Sequence, residues 1–215
     1  MLTWLFDLDD TLHDASPHIF PHINRSMTAY LQAHLGLEEE RANALRSHYW
    51  QRYGATLSGL MRHHQTDPTH FLAETHHFPQ LDRMIVADRA ALAAVRNLPG
   101  RKILYSNAPA TYVGAVLEIL KLGRCFDAVY AIEDLAYVPK PSVDAFRQLL
   151  RVEKLHPSRT VMVDDTLVNL RTAHRLGIRT IWVSRTAHYP AYVDARVCSL
   201  RNLRRLLHKL CPMQL

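Results

Sequence analysis

Leu2-Thr3-Trp4-Leu5-Phe6-Asp7-Leu8-Asp9-Asp10-Thr11-Leu12 is the stretch on which the reading of the fold turns. Bulky and aromatic apolar residues in an unbroken run predict a fully buried strand. The run ends in three carboxylates within four positions, Asp7, Asp9 and Asp10. Packed carboxylates repel one another and resist desolvation unless a cation sits among them. Side chains alternate along an extended backbone, so Asp7 and Asp9 project to one side while Leu8 turns away. Two such groups beside a bound cation suit one nucleophile and one general acid/base. The competing reading is an acidic turn in which Asp10-Thr11 starts a helix.

Asp-Leu-Asp-Asp-Thr behind an apolar strand resembles the first signature of the haloacid dehalogenase-like hydrolase superfamily, most of whose members are Mg²⁺-dependent phosphatases. The resemblance implies three further stations, each at the end of a later strand. Arg101-Lys102-Ile103-Leu104-Tyr105-Ser106-Asn107 is a strand ending in a hydroxyl and an amide. Ser106 matches the second signature, which hydrogen-bonds the transferring phosphoryl group. Asn107 and the helix starting near Pro109 can add donors there. A strand over 128–132 leads to Val138-Pro139-Lys140-Pro141-Ser142, where Lys140 sits between two prolines as a fixed point charge. It matches the third signature, a lysine that neutralises nucleophile and phosphate. Thr160-Val161-Met162-Val163-Asp164-Asp165-Thr166 again runs from a β-branched strand into adjacent carboxylates, followed by a helix over 166–176 that Gly177 ends. In the family this pair completes the Mg²⁺ site, with Asp165 the direct ligand and Asp164 behind it. A strand over 178–183 closes the sheet. No G-x-x-x-x-G-K-[ST] or G-x-G-x-x-G occurs, which argues against a nucleoside triphosphatase or a dinucleotide enzyme.

Between the first two stations the pattern is helical. Ser16-Pro17 predicts an N-cap with proline at the first helical position. Ile19, Ile23, Met27, Tyr30 and Leu31 follow at helical spacing, and Gly36 ends the run. Further helices are predicted over 38–53, 57–64 and 68–77, the last capped near Asp67. In the family such an insert is a small cap over the active site. Tyr53-Gly54-Ala55-Thr56-Leu57-Ser58-Gly59-Leu60 holds two of the seven glycines, which predicts a tight turn or a close approach. With Leu12-His13 and Lys140-Pro141-Ser142, this segment resembles the pyrimidine 5′-nucleotidase branch. That likeness puts Tyr53 and Thr56 at the substrate.

Composition sets the outer limits. At 215 residues and 48% hydrophobic content the chain can bury a full core, and no apolar run is long enough to span a membrane. The start lacks a basic region and cleavage site, so no signal peptide is expected. Cys125, Cys198 and Cys211 are odd in number and widely spaced, as for reduced thiols in a cytosol. The net charge of +6 favours an anionic substrate over nucleic acid, because the basic residues are scattered. Their densest cluster, Arg201, Arg204, Arg205, His208 and Lys209, is read as a solvated face of a C-terminal helix. Most of the fourteen histidines are read as surface residues.

The expected fold class is α/β, a three-layer Rossmann-like core of residues 1–15 and 84–215 with a parallel sheet in order 5-4-1-2-3, and a helical cap over 16–83. The resemblance implies a cytoplasmic Mg²⁺-dependent phosphatase, monomeric or dimeric, acting on a small phosphate monoester such as a pyrimidine nucleoside 5′-monophosphate. Sugar-phosphate or phosphoglycolate hydrolysis, carbon–halogen hydrolysis and a non-catalytic binding role are the alternatives. Asp7 is the implied nucleophile and Asp9 the acid/base. The implied Mg²⁺ ligands are Asp7, the Asp9 carbonyl and Asp165, and Ser106, Asn107 and Lys140 would hold the phosphate.

Overall fold

A computed structural model describes residues 1–206. Six parallel strands form one sheet: β1 (Thr3–Phe6), β2 (Arg101–Tyr105), β3 (Ala128–Tyr130), β4 (Thr160–Asp164), β5 (Arg179–Val183) and β6 (Ala195–Val197). Their spatial order is β3-β2-β1-β4-β5-β6. This is the expected order extended by one strand, since β6 pairs outside β5 and the sheet does not close at residue 183. Three residues are too few to show a period, which is why β6 is invisible in the sequence.

The central strand β1 has neighbours on both sides and all four residues buried. A parallel sheet covered on both faces needs such continuous apolarity. Alternation sends Trp4, Phe6, Leu104, Val161 and Val163 to one face, where α6 (Arg89–Arg96) and α7 (Ala110–Ile119) cover them. Leu5, Ile103, Tyr105 and Met162 face the other layer, under α8 (Val143–Val152) and α9 (Leu167–Arg175). The register decides where the chemistry falls. Phe6 lies level with both Leu104 and Val163, so Asp7, Tyr105 and Asp164 come next in line on adjoining strands.

The chain leaves and re-enters this layer at one place, because Asp14 and Val86 form an antiparallel bridge with Asp14 N–H donating to the Val86 carbonyl at 2.8 Å. Between them lie α1 (Ile19–Leu35), α2 (Glu39–Tyr53), α3 (Thr56–His64), α4 (Pro68–Thr75) and the short α5 (Leu81–Met84). Tyr30, Leu31, Leu57, Leu60, Phe71 and Leu72 form a core of their own, joined by Ile132 from the α/β layer. Asp67 caps α4 as expected, accepting from the Thr69 and His70 amides. The expected Ser16 cap is not made. His18 precedes the first turn of α1, and the Ser16 hydroxyl bonds the Asp10 carboxylate at 2.6 Å instead. That carboxylate also accepts from the Ala15 and Ser16 amides, so Asp10 organises the turn into the insert.

Both glycines of the 53–60 segment have a reason. Gly54 has φ +82°, and a Cβ there would meet Pro141 Cδ at 3.0 Å; at Gly59 it would lie 2.2 Å from the Tyr49 ring. The C-terminal basic stretch is a 3₁₀ turn, Leu200–Leu206, with Leu200 and Leu203 buried and Arg201 paired with Asp88 at 2.6 Å. It packs on α6 rather than standing as a free helix face. His208, Lys209 and Cys211 lie outside the described residues.

Candidate active site

Asp7, Asp9, Ser106, Asn107, Lys140 and Asp165 line one cavity of about 580 Å³, whose far walls come from α1, α2 and α3. Its floor is built around Lys140. This side chain is 1% exposed, and its Nζ donates to Asp7 Oδ1 at 2.7 Å, to Asp164 Oδ2 at 3.1 Å and to the Tyr105 carbonyl at 2.8 Å. Three acceptors satisfy the three ammonium donors. Burial alone would lower the lysine's pKa, but Asp164 and Asp7 outweigh it and hold the group well above its ordinary value. Lys140 is therefore a permanent cation.

The carboxylates are not equally free. Asp164 is fully buried: Oδ1 accepts from the Thr166 amide at 2.7 Å, and Asn169 Nδ2 reaches both oxygens. Asp165 is partly exposed, and its carboxylate has only a 3.3 Å bond from the Thr166 hydroxyl, while its carbonyl accepts from Trp182 Nε1. Asp7, Asp164 and Asp165 each offer an oxygen within 4.8 Å of the others. Burial, with Asp164 adding repulsion against the pull of Lys140, pushes the Asp7 pKa up to about 7. Burial, then Asp7 and Asp164, pushes Asp165 up to about 8. Carboxylates held this far above the ordinary range lack compensating positive charge, and the two less engaged ones, Asp7 and Asp165, offer the hard oxygens that Mg²⁺ takes. The residues fit that ion.

Asp9 lies across the cavity, where its Oδ1 accepts from Tyr112 Oη at 2.7 Å and lies 3.0 Å from His13 Nε2. Tyr112 does not stand out in the sequence, and His13 does so only as part of the Leu12-His13 likeness, with no link to Asp9. His13 is 4% exposed, unlike the surface setting expected for most of the histidines, and Tyr112 occupies an ordinary core position of α7.

Ser106 is buried, its hydroxyl accepting from the Ala108 amide at 3.1 Å. The Asn107 side chain is engaged by Lys140, donating to its carbonyl at 3.0 Å and accepting from its amide at 2.8 Å. The start of α7 is not a free anion site, since the Ala110 amide donates to Glu133 at 3.0 Å. Thr56 lines the cavity, but its hydroxyl donates to the Arg46 carbonyl at 3.1 Å. Tyr53 lies in the neighbouring depression with its hydroxyl bonded to His63 at 2.7 Å. Trp50, 60% exposed, and Phe20 are among the aromatics that line the cavity, with Phe71 and Tyr137.

A phosphoglycolate phosphatase of Pseudomonas putida is 24% identical over 221 residues, covering 94% of this chain and 77% of the relative. A phosphatase of the same fold from Thermococcus onnurineus superposes with a TM-score of 0.65 at 20% identity, covering 96% of this chain and 98% of that one. The L-2-haloacid dehalogenase of Xanthobacter autotrophicus gives 0.61 at 19% identity, over 97% and 99%. At such identity these likenesses speak for the fold, which serves both chemistries. The profile of the haloacid dehalogenase-like hydrolases matches residues 1–177, a span that contains every residue of the cavity floor. The chain belongs to the haloacid dehalogenase-like hydrolase family.

Proposed function

We propose that the protein is a Mg²⁺-dependent phosphatase that hydrolyses small phosphate monoesters through an aspartyl-phosphate. The observation that carries this is the meeting of Asp7, Asp9, Lys140 and Asp165 on one cavity floor, with Lys140 Nζ 2.7 Å from the Asp7 carboxylate. An Asp7 oxygen attacks phosphorus in line. As that bond forms, the ester P–O bond breaks, and Asp9 gives its proton to the departing alkoxide. Asp9 then takes a proton from water, whose oxygen displaces Asp7 and releases phosphate. Ser106 and Lys140 hold the phosphoryl oxygens, so the protein's share is mainly positioning and electrostatics. Asp7, the Asp9 carbonyl and Asp165 would hold Mg²⁺, with Asp164 behind them steadying Lys140. When bound, the ion supplies charge screening and alignment of the phosphate. Asp9 also separates this reading from carbon–halogen hydrolysis, which has no alkoxide to protonate.

The helical insert acts as the cap that receives the leaving group. A pyrimidine nucleoside 5′-monophosphate is the substrate we favour, because Trp50 and Phe20 at the cavity wall offer a base a stacking surface. Tyr53, turned away into the neighbouring depression, is not needed for that role. One observation favours a second substrate. Arg46 lines the cavity with its Nη1 donating to Asn24 at 2.7 Å, and no carboxylate among the described residues pairs with its charge. A short carboxylate-bearing ester such as 2-phosphoglycolate would satisfy it. Cys125 and Cys198 are free thiols, in keeping with a cytosolic enzyme. Phosphate release from UMP, CMP, 2-phosphoglycolate and sugar phosphates, with and without Mg²⁺, tests the proposal. Equal rates on all would reduce it to a generic phosphatase, and metal-independent hydrolysis would remove the ion.

A further inference from the structure

Two buried side chains from distant parts of the chain converge on one oxygen of Asp9. Tyr112 Oη is 2.7 Å and His13 Nε2 3.0 Å from Oδ1, and the two donors are 3.4 Å apart. Both residues are almost fully enclosed. Burial and the neighbouring Asp9 push the Tyr112 phenol above its ordinary range, so its hydroxyl stays a donor. The His13 tautomer follows from the surroundings. Nδ1 is buried without a partner, and Nε2 faces a carboxylate oxygen, so the proton belongs on Nε2. No described residue donates to Oδ2.

We infer that Tyr112 and His13 are positioning residues for Asp9, clamping Oδ1 so that Oδ2 alone carries the proton exchanged with leaving group and water. This rests on the acid/base reading of Asp9 given above. The clamp works in both halves of the reaction, because Oδ1 accepts hydrogen bonds whether the carboxyl is protonated on Oδ2 or ionised. A carboxylate without such partners would share its proton between two oxygens and several rotamers, and a misaligned acid loses rate steeply.

The clamp also reaches the helical insert. The Tyr112 ring packs against Phe78 at 5.2 Å and His76 at 6.1 Å between centroids, both on the segment by which the insert returns. His13 stands one residue before Asp14, whose bridge to Val86 closes the insert's base. Asp9 is therefore gripped from where the insert leaves and from where it comes back. The acid is aligned through the same contacts that seat the helices.

The test compares phenyl phosphate, whose leaving group needs a proton, with p-nitrophenyl phosphate, whose leaving group departs without one. The readout is the ratio of kcat/KM for p-nitrophenyl over phenyl phosphate. A misfolded fraction lowers both rates equally and leaves this ratio unchanged. Tyr112→Phe keeps the ring packed and removes one donor, and should raise the ratio roughly tenfold or more, in the direction of Asp9→Asn. His13→Leu should do the same, and His13→Gln, which keeps a donor, should restore it. A ratio raised by Asp9→Asn but unmoved by Tyr112→Phe and His13→Leu would overturn the clamp and leave the acid standing. A ratio unmoved by Asp9→Asn as well would remove the acid reading and the clamp with it.

Discussion

Asn107 and Lys140 hold each other in both directions: the Asn107 amide accepts from the Lys140 N–H at 2.8 Å and donates to its carbonyl at 3.0 Å. The pair pins the backbone from which the lysine side chain reaches Asp7 and Asp164. From the sequence, Asn107 is a phosphate donor; in the structure its side-chain oxygen and one of its two N–H donors are engaged by the residue that carries the site's positive charge. Asn107→Ala should cost about 1–3 kcal/mol of stability through two lost hydrogen bonds. It should lower kcat/KM by roughly ten- to hundredfold through the loosened lysine. Thermal unfolding together with steady-state kinetics checks both, and a loss in KM alone would return Asn107 to the role of phosphate ligand.

Lys140 is the only cation bonded to Asp7 and Asp164 among the described residues. Lys140→Met leaves buried carboxylates uncompensated and should destabilise the metal-free protein by about 3–5 kcal/mol. Lys140→Arg should not rescue activity, because a planar fork cannot replace three donors aimed at Asp7, Asp164 and the Tyr105 carbonyl. Denaturant unfolding and p-nitrophenyl phosphate hydrolysis test these outcomes, and an active Lys140→Arg protein would contradict the second.

How much of this was legible beforehand follows from what each residue needs nearby. Asp7, Ser106, Lys140 and Asp164-Asp165 announce themselves because each sits where an apolar strand gives way to a polar group, and a parallel register brings strand ends together. Gly54 showed that a close approach was required but not that Pro141 was the neighbour. Tyr112 was hidden by distance, 103 positions from Asp9 in an apolar helix, whereas His13, only 4 positions away, was noticed as part of the Leu12-His13 likeness but not as a partner of Asp9. Segment likeness carries no direction, so it could not show that Tyr53 lies in the neighbouring depression with its hydroxyl on His63. Ser16 looked like a cap, but the nearby Asp10 carboxylate took its hydroxyl.

The raised carboxyls make stability depend on pH with a definite sign. Asp7 is pushed to about 7 and Asp165 to about 8 by burial first and like charge second. Their folded pKa values exceed the unfolded ones, so their contribution is fully present below the unfolded pKa. It is lost as pH rises through the folded values. The metal-free protein should therefore unfold at a lower temperature at about pH 8.5 than at about pH 5.5. Mg²⁺ needs the ionised forms and should raise the unfolding temperature more at the higher pH. Asp165→Ala should abolish most of that Mg²⁺-dependent gain. A gain independent of pH would show that the ion binds elsewhere.

Asp9→Asn should separate the two halves of the reaction. Asp7 and Lys140 remain in place, so p-nitrophenyl phosphate can still transfer its phosphoryl group without a proton donor. The aspartyl-phosphate then lacks the base that activates water, and should accumulate as turnover falls by roughly a hundredfold or more. Asp7→Asn removes the attacking oxygen and should abolish both transfer and turnover. The observable is a mass gain of one phosphoryl group on a peptide containing Asp7 after brief incubation of Asp9→Asn with the aryl ester. Wild-type turnover in that variant would sink the acid/base role of Asp9, and a label on Ser106 would move the nucleophile from β1 to the end of β2.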